Sequence, residues 1–202
     1  MILVYPIVEG HGEERALPEL IRNFLHNKYE YYEFEILHPY RLPRDKMKKS
    51  DLLPVIELGT QRLKDRVSPG DVGLVLCVCD ADDDCPVTLK NQIDRNVDTG
   101  NEQIHFAFVA ADREYETWFL AAVNSFSNHQ DCVNNLPAID NLLNIRDAKG
   151  YFERHVLKDG RYYSETVDQA KFSSLIDFSL APENNSRSLR RLLRIFERII
   201  PV

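Results

Sequence analysis

Apolar residues along this chain fall into short unbroken runs that alternate with segments of helical spacing. Residues 2–8 form the first run, ended by Glu9, and predict a buried strand. Residues 13–26 then place Leu17, Leu20, Ile21, Phe24 and Leu25 on one face, which predicts an amphipathic helix. Pro18 lies inside it, so its regular part is expected to begin near that proline. A second strand is expected over 34–40, then a basic loop over 41–49. Ser50 or Asp51 is placed to cap a second helix reaching 67, with Pro54 in its first turn, where proline is tolerated. Residues 73–79 are apolar at every position after an opening glycine, the pattern of a strand covered by helices on both faces. A helix over 86–97, a strand over 104–110 and a helix over 115–123 complete a β-α-β-α-β-α-β-α order. That order predicts an α/β fold with a mainly parallel central sheet flanked by helices.

Beyond about Ser127 the pattern changes. Helical pieces are expected at 138–145, 148–157, 167–178 and 188–200, with no strand. The chain therefore divides into an α/β core over 1–127 and a helical C-terminal extension over 128–202, either an appendage or part of the same core.

Composition narrows the classes. With 202 residues and 44% apolar, the chain can bury a substantial core. Its formal charge of −7 excludes a globally basic nucleic-acid coat protein, but not a nucleic-acid enzyme whose carboxylates hold metal. No apolar run approaches the roughly 18 residues a membrane helix needs, and no basic stretch precedes the first apolar run as in a secretory signal. Cys77, Cys79, Cys85 and Cys132 form no C-x-x-C pair, which reads as reduced thiols in a cytoplasmic protein.

The informative charges sit just after the strands, at the sheet edge where α/β proteins bind ligands. Glu9-Gly10-His11-Gly12-Glu13 follows the first strand, Asp80-Ala81-Asp82-Asp83-Asp84 the third, and Asp112-Arg113-Glu114-Tyr115-Glu116 the fourth. Singly, each has an ordinary reading: a turn with helix N-terminal charge, a solvated loop, or a cap at Asp84. Gathered at one edge, they repel one another unless a cation neutralises them, and hard oxygen donors suit Mg²⁺ or Mn²⁺. Asp80, Asp82 and Asp84 do not begin an EF-hand, because Cys85 stands where its glycine is required and Asn91 where its bidentate Glu belongs. A haloacid-dehalogenase-type phosphatase places D-x-D after its first strand, not its third.

An acidic residue after strand one and D-x-D after strand three resemble the Toprim fold of topoisomerases, primases and nucleases. Glu9-Gly10-His11-Gly12-Glu13 is similar to the Glu-Gly-x-x-Glu of the overcoming-lysogenisation-defect (OLD-type) nucleases. Val8-Glu9-Gly10, Asp80-x-Asp82-Asp83-Asp84 with Pro86, and Glu114-Tyr115-Glu116-Thr117-Trp118-Phe119 resemble a bacterial Toprim-like family of unknown function over nearly the whole chain. The resemblance implies metal ligation by Glu9, Asp80 and Asp82, with Glu13 helping to hold a second ion. A further acidic ligand maps to Glu116 or Glu114. It also implies a lysine near the reacting phosphate, Lys149 or Lys171, so that Glu9 and Lys149 become the catalytic candidates. OLD-type proteins carry a fused ATPase domain that these residues do not encode, which implies a separate ATPase partner and a place in bacterial defence or DNA processing.

Two basic stretches could meet phosphates: the 41–49 loop, and Arg187, Arg191, Arg194 and Arg198, spaced along one face of the last helix. Charged helix faces are more often simply solvated. Trp118 lies in an apolar stripe and reads as core. His11, between two glycines, is either a turn residue or a phosphate contact. The expectation is a Mg²⁺- or Mn²⁺-dependent nuclease. Its rivals are a non-catalytic Toprim-fold binding or regulatory module and a small metal-dependent phosphohydrolase.

Overall fold

A computed structural model describes residues 1–47, 50–94 and 97–200. Lys48 and Lys49 of the basic stretch, and Arg95 and Asn96 near the end of the expected third helix, lie outside them. The fold is α/β, built on a parallel sheet of order β2-β1-β4-β5, with the short β3 also pairing with β1. The strands are β1 (Ile2–Val8), β2 (Phe34–Ile36), β3 (Tyr40–Arg41), β4 (Val72–Asp80) and β5 (Ile104–Ala111). The helices are α1 (Glu13–Tyr29), α2 (Arg44–Met47), α3 (Leu52–Lys64), α4 (Pro86–Asp94), α5 (Thr117–Ala121), α6 (Ala148–His155), α7 (Glu165–Leu175) and α8 (Arg187–Glu197). No helix among the described residues is long and apolar enough to cross a membrane.

The period-two alternation of the strands sorts their side chains into two cores. Val4, Leu74, Leu76 and Val109 face a cluster completed by α1 and by α5 to α8. Leu3, Tyr5, Val75, Cys77 and Phe108 face a second cluster under α2, α3 and α4. Burial on both faces explains why β4 reads as a continuous apolar run. The C-terminal extension shares the first of these clusters: Phe152, Phe172, Leu192 and Phe196 pack with Phe24, Trp118 and Phe119.

Several expected elements are corrected. The single strand over 34–40 is two short strands, because the pairing slips by one residue: Val4 pairs with Ile36, but Ile7 pairs with Tyr40. Pro6 on β1 and Pro39 on the facing chain both lack the N–H a continuous ladder would use there. The expected helix at 138–145 reduces to a 3₁₀ turn over Leu142–Asn144, since Asn141 takes a left-handed conformation (φ 56°). The 115–123 helix is only Thr117–Ala121, followed by a 3₁₀ turn over Val123–Phe126. The Asn185 amide takes the carbonyl of Ala121 at 3.1 Å and so satisfies the helix end. Helix α1 runs from Glu13 straight through Pro18. The basic loop contains the helical turn α2.

Candidate active site

Because β1, β4 and β5 run parallel, their carboxyl ends lie side by side, with Ile7 opposite Cys77 and Asp80 opposite Ala111. The loops that leave them enclose a cleft of about 260 Å³. Glu9, Glu13, Asp80, Asp82, Glu116 and Lys149 all line it, with Glu114. The sheet therefore gathers the acidic residues of three loops spread along the chain from Glu9 to Glu116. Helix α7 closes the far wall with Glu165 and Gln169, one turn apart.

Backbone amides hold several of these carboxylates. Glu13, at the start of α1, turns back so that its Oε2 accepts the N–H of Glu9 at 2.9 Å and of Gly10 at 3.3 Å. Glu9 Oε2 accepts the N–H of Asp80 at 3.2 Å, tying the β1 loop to the end of β4. Glu116 is buried, and its Oε1 accepts from Tyr163 Oη at 2.7 Å and from Gln169 Nε2 at 2.9 Å. The N–H of Lys149, in the first turn of α6, reaches Glu114 Oε2 at 2.9 Å, and its Nζ meets Glu165 Oε1 at 2.5 Å. Both Glu114 and Glu116 thus belong to the cleft. Lys171 does not: its ammonium pairs with Asp131.

Two residues in left-handed conformation join the other loops. Asp82 (φ 50°) donates its N–H to the carbonyl of Arg113 (φ 64°) at 2.9 Å. Arg113 in turn pairs with Asp83 at 2.9 Å. Glycine matters at position 12 for a reason other than turn flexibility. Its φ is an ordinary −65°, but a Cβ there would lie 2.2 Å from Gln169 Oε1 and 2.7 Å from the carbonyl oxygen of Glu165. Gly12 is what lets α7 approach the β1 loop. His11 points away from the cleft, exposed and paired with Glu14 at 2.9 Å.

Crowding and burial raise the proton affinity of the cleft. Burial pushes the Asp80 carboxyl well above the usual carboxylate range, and the charges of Glu13, Glu116, Glu9 and Asp82 add to it. Burial also lifts Glu13 to about 8, against the pull of its two amide donors. Glu116 is raised by burial too, and partly relieved by Gln169 and Tyr163. Asp80 Oδ1 is buried and has no hydrogen-bond partner among the described residues, and neither has Gln169 Oε1. A buried carboxylate oxygen without a donor is costly unless something positive faces it. Among the described residues, no three His, Cys, Asp or Glu side chains already stand close enough to form a coordination shell. Amide donors and the guanidinium of Arg44 engage the carboxylates individually.

Residues 8–197 match the sequence profile of a family described as a domain of unknown function, DUF4276. The chain belongs to the DUF4276 family. No curated protein and no solved structure matches it. The match spans the cleft and the arginine helix alike, so both lie inside the DUF4276 unit.

Helix α8 presents Arg187, Arg191, Arg194 and Arg198 together, joined by Arg190, along a groove of about 290 Å³. Leu189, Leu192, Leu193 and Phe196 anchor its opposite face. Its first turn is tied to the loop after β5. Asp112 Oδ2 accepts from Ser188 Oγ at 3.0 Å, and that hydroxyl takes the Trp118 indole N–H at 2.9 Å. Asp112 is thereby a docking residue and not part of the cleft, and Trp118 is core. Arg191 donates to the carbonyl of Phe108 on β5 at 3.1 Å. The acidic strings made the cleft readable in the sequence. Arg44 was read only as part of a basic stretch that could meet phosphates, and Glu165 and Gln169 were missed because they come from an element with no recognisable string. Only the i, i+4 spacing of Glu165 and Gln169 hinted at a shared face.

Proposed function

We propose that this DUF4276 protein is a Mg²⁺- or Mn²⁺-dependent hydrolase of nucleic-acid phosphodiesters, working at the cleft between the β1, β4 and β5 loops. The observation that carries this reading is the buried Asp80 Oδ1, without a hydrogen-bond partner among the described residues and surrounded by further carboxylates at the carboxyl edge of a parallel sheet. The donor set suits the group: hard oxygens, Asp80 on the last residue of β4 and the others in the loops and helix starts that follow the strands, and a cost of mutual repulsion that a divalent cation would relieve. Asp80, Glu13 and Glu116, with Glu9 and Asp82 at the outer edge of the site, are the residues that would hold it. A Mg²⁺ or Mn²⁺ ion held by these residues would supply an activated water and charge stabilisation for the leaving oxygen.

The chain's own residues supply the rest. Hydrogen bonding to Glu165 raises the proton affinity of Lys149 and keeps its ammonium charged at the cleft wall, where it can stabilise negative charge on a phosphate. Glu165, and the hydrogen bond that the Lys149 backbone N–H donates to Glu114 Oε2, set the position of that ammonium. The arginine groove on α8 favours a polymer over a small phosphate ester. It can hold a phosphate backbone, without reading sequence, beside a protein that is otherwise net negative. The likeness to OLD-type nucleases extends the reading to a separate ATPase partner and a defence or DNA-processing role.

The test is a nicking assay on supercoiled plasmid with Mg²⁺, Mn²⁺ or chelator, using wild type and Asp80→Asn. Metal-dependent nicking that the variant loses supports the proposal. Hydrolysis of a small phosphate ester with intact plasmid points to the phosphohydrolase. Metal binding without any turnover points to the regulatory module.

A further inference from the structure

The inference comes from Arg44. The residue sits in α2, just beyond β3, and its side chain ends among the carboxylates of the β4 loop with only 16% of it exposed. Nε donates to Asp82 Oδ2 at 3.1 Å, and Nη2 to Asp84 Oδ2 at 3.3 Å. Glu9 Oε2 lies 3.9 Å from Nε. Two further contacts hold the plane of the guanidinium: Nη2 to the carbonyl of Ala81 at 3.0 Å and Nη1 to Cys79 Sγ at 3.2 Å. Asp82, one oxygen of Glu9 and, beside the cleft, Asp84 therefore face a resident cation. Lys149 faces Glu165 and lies within electrostatic reach of Glu114 and Glu116. The inner carboxylates Asp80 and Glu13 make no ion pair with a cationic side chain among the described residues, and Asp80 Oδ1 is the buried oxygen without a hydrogen-bond partner there.

We propose that the cleft takes one divalent cation, at the inner carboxylates, and that Arg44 is a built-in cation occupying the outer position a second ion would need. This rests on the metal reading of the cleft. A guanidinium within hydrogen-bond reach of Asp82 and Asp84 cancels the charge that would draw a second ion, and repels any ion placed within a few ångströms of it. Arginine does not deprotonate in proteins, so no working pH vacates the position. Its fork matches two carboxylates at once, which a hydrated lysine ammonium does less well.

The experiment counts Mn²⁺ bound per chain by equilibrium dialysis, with free Mn²⁺ read by electron paramagnetic resonance, on wild type, Arg44→Gln and Arg44→Lys. Wild type is expected to bind one ion. Arg44→Gln is expected to bind two, the second at least tenfold more weakly, and Arg44→Lys one, because the charge is retained. Two ions in wild type overturn the proposal whatever the folding of the variants. A single ion in an Arg44→Gln protein that still melts cooperatively overturns it as well. If wild type and both variants bind no Mn²⁺, the metal reading itself falls. That outcome is distinct from the failure of Arg44's role, in which ions bind but their number does not respond to residue 44.

Discussion

Asp80→Asn is the substitution whose outcome separates a metal site from a structural cluster. Asparagine keeps the size and one acceptor of aspartate, removes the charge, and adds an N–H₂ that can donate to a neighbouring carboxylate. In the wild type without metal, Asp80 carries a buried oxygen with no donor among the described residues, and its proton affinity is raised first by burial and then by Glu13, Glu116, Glu9 and Asp82. Leaving a buried polar group unsatisfied costs about 1–3 kcal/mol. Relieving part of that cost should stabilise the metal-free protein by about 1–2 kcal/mol. For a chain of 202 residues, that moves Tm upward by about 2–8 °C, at about 2–4 °C per kcal/mol. The sign depends on pH. A carboxyl whose folded pKa is raised favours the folded state below the unfolded value, and loses that advantage as pH climbs toward the folded one. The gap between Asp80→Asn and wild type should therefore widen from pH 5 to pH 8 in chelator. Mn²⁺ at about a hundred times its Kd should add about 2.7 kcal/mol to the wild type alone. Thermal melts of both proteins, at both pH values, with Mn²⁺ and with chelator, read every part of this. A variant that melts below the wild type at pH 8, together with a wild type indifferent to Mn²⁺, would falsify the metal reading and make Asp80 a structural residue.

Other outcomes follow from the same geometry. With Glu13 lifted to about 8 by burial, the metal-free wild type should lose stability between about pH 5 and pH 8, with a slope of up to about 1.4 kcal/mol per pH unit for each proton released. Denaturant titrations across that range check it, and a stability that rises with pH refutes it. Changing Arg187 and Arg194 together to Gln, with Arg191 left on the Phe108 carbonyl, should flatten the log–log salt dependence of duplex binding by up to about 0.9 per lost contact. Equal slopes would mean these arginines face water or a protein. Gly12→Ala puts a Cβ 2.2 Å from Gln169 Oε1 and 2.7 Å from the Glu165 carbonyl oxygen. It should cost about 1–3 kcal/mol by overpacking, seen as a lower midpoint in urea, whereas an unchanged midpoint would show that α7 can retreat freely.

What could be read from the sequence was whatever depends on neighbours along the chain. The unbroken apolar run at 73–79 reports burial on both faces of a strand, because side chains alternate sides and both must be apolar. The order of strands and helices then required parallel pairing, which put the acidic strings at one edge. Glu9, Glu13, Asp80, Asp82 and Glu116 were legible as candidates for this reason: each lies in a loop or helix start within an acidic string that follows a strand. Lys149 was a candidate only through the family resemblance. The arginine stripe of α8 was legible through its apolar counter-face.

Tertiary structure decided what lies opposite each of those groups. The break in the second strand falls at two prolines, Pro6 and Pro39, which come into the same gap between the two registers only once the strands are paired. The helix expected at 138–145 failed at one left-handed Asn141 that periodicity does not reveal. The choice of Lys149 over Lys171 for the cleft was a matter of which carboxylate each meets, Glu165 or Asp131. The same holds for Arg44, one more basic residue in a basic stretch until the fold carries it onto Asp82 and Asp84. Pattern along a chain records which groups must be buried, whereas the charge that faces a carboxylate arrives from a distant part of the chain, as Arg44 does from 38 positions before Asp82 and 40 before Asp84. Only the packed sheet brings them within reach.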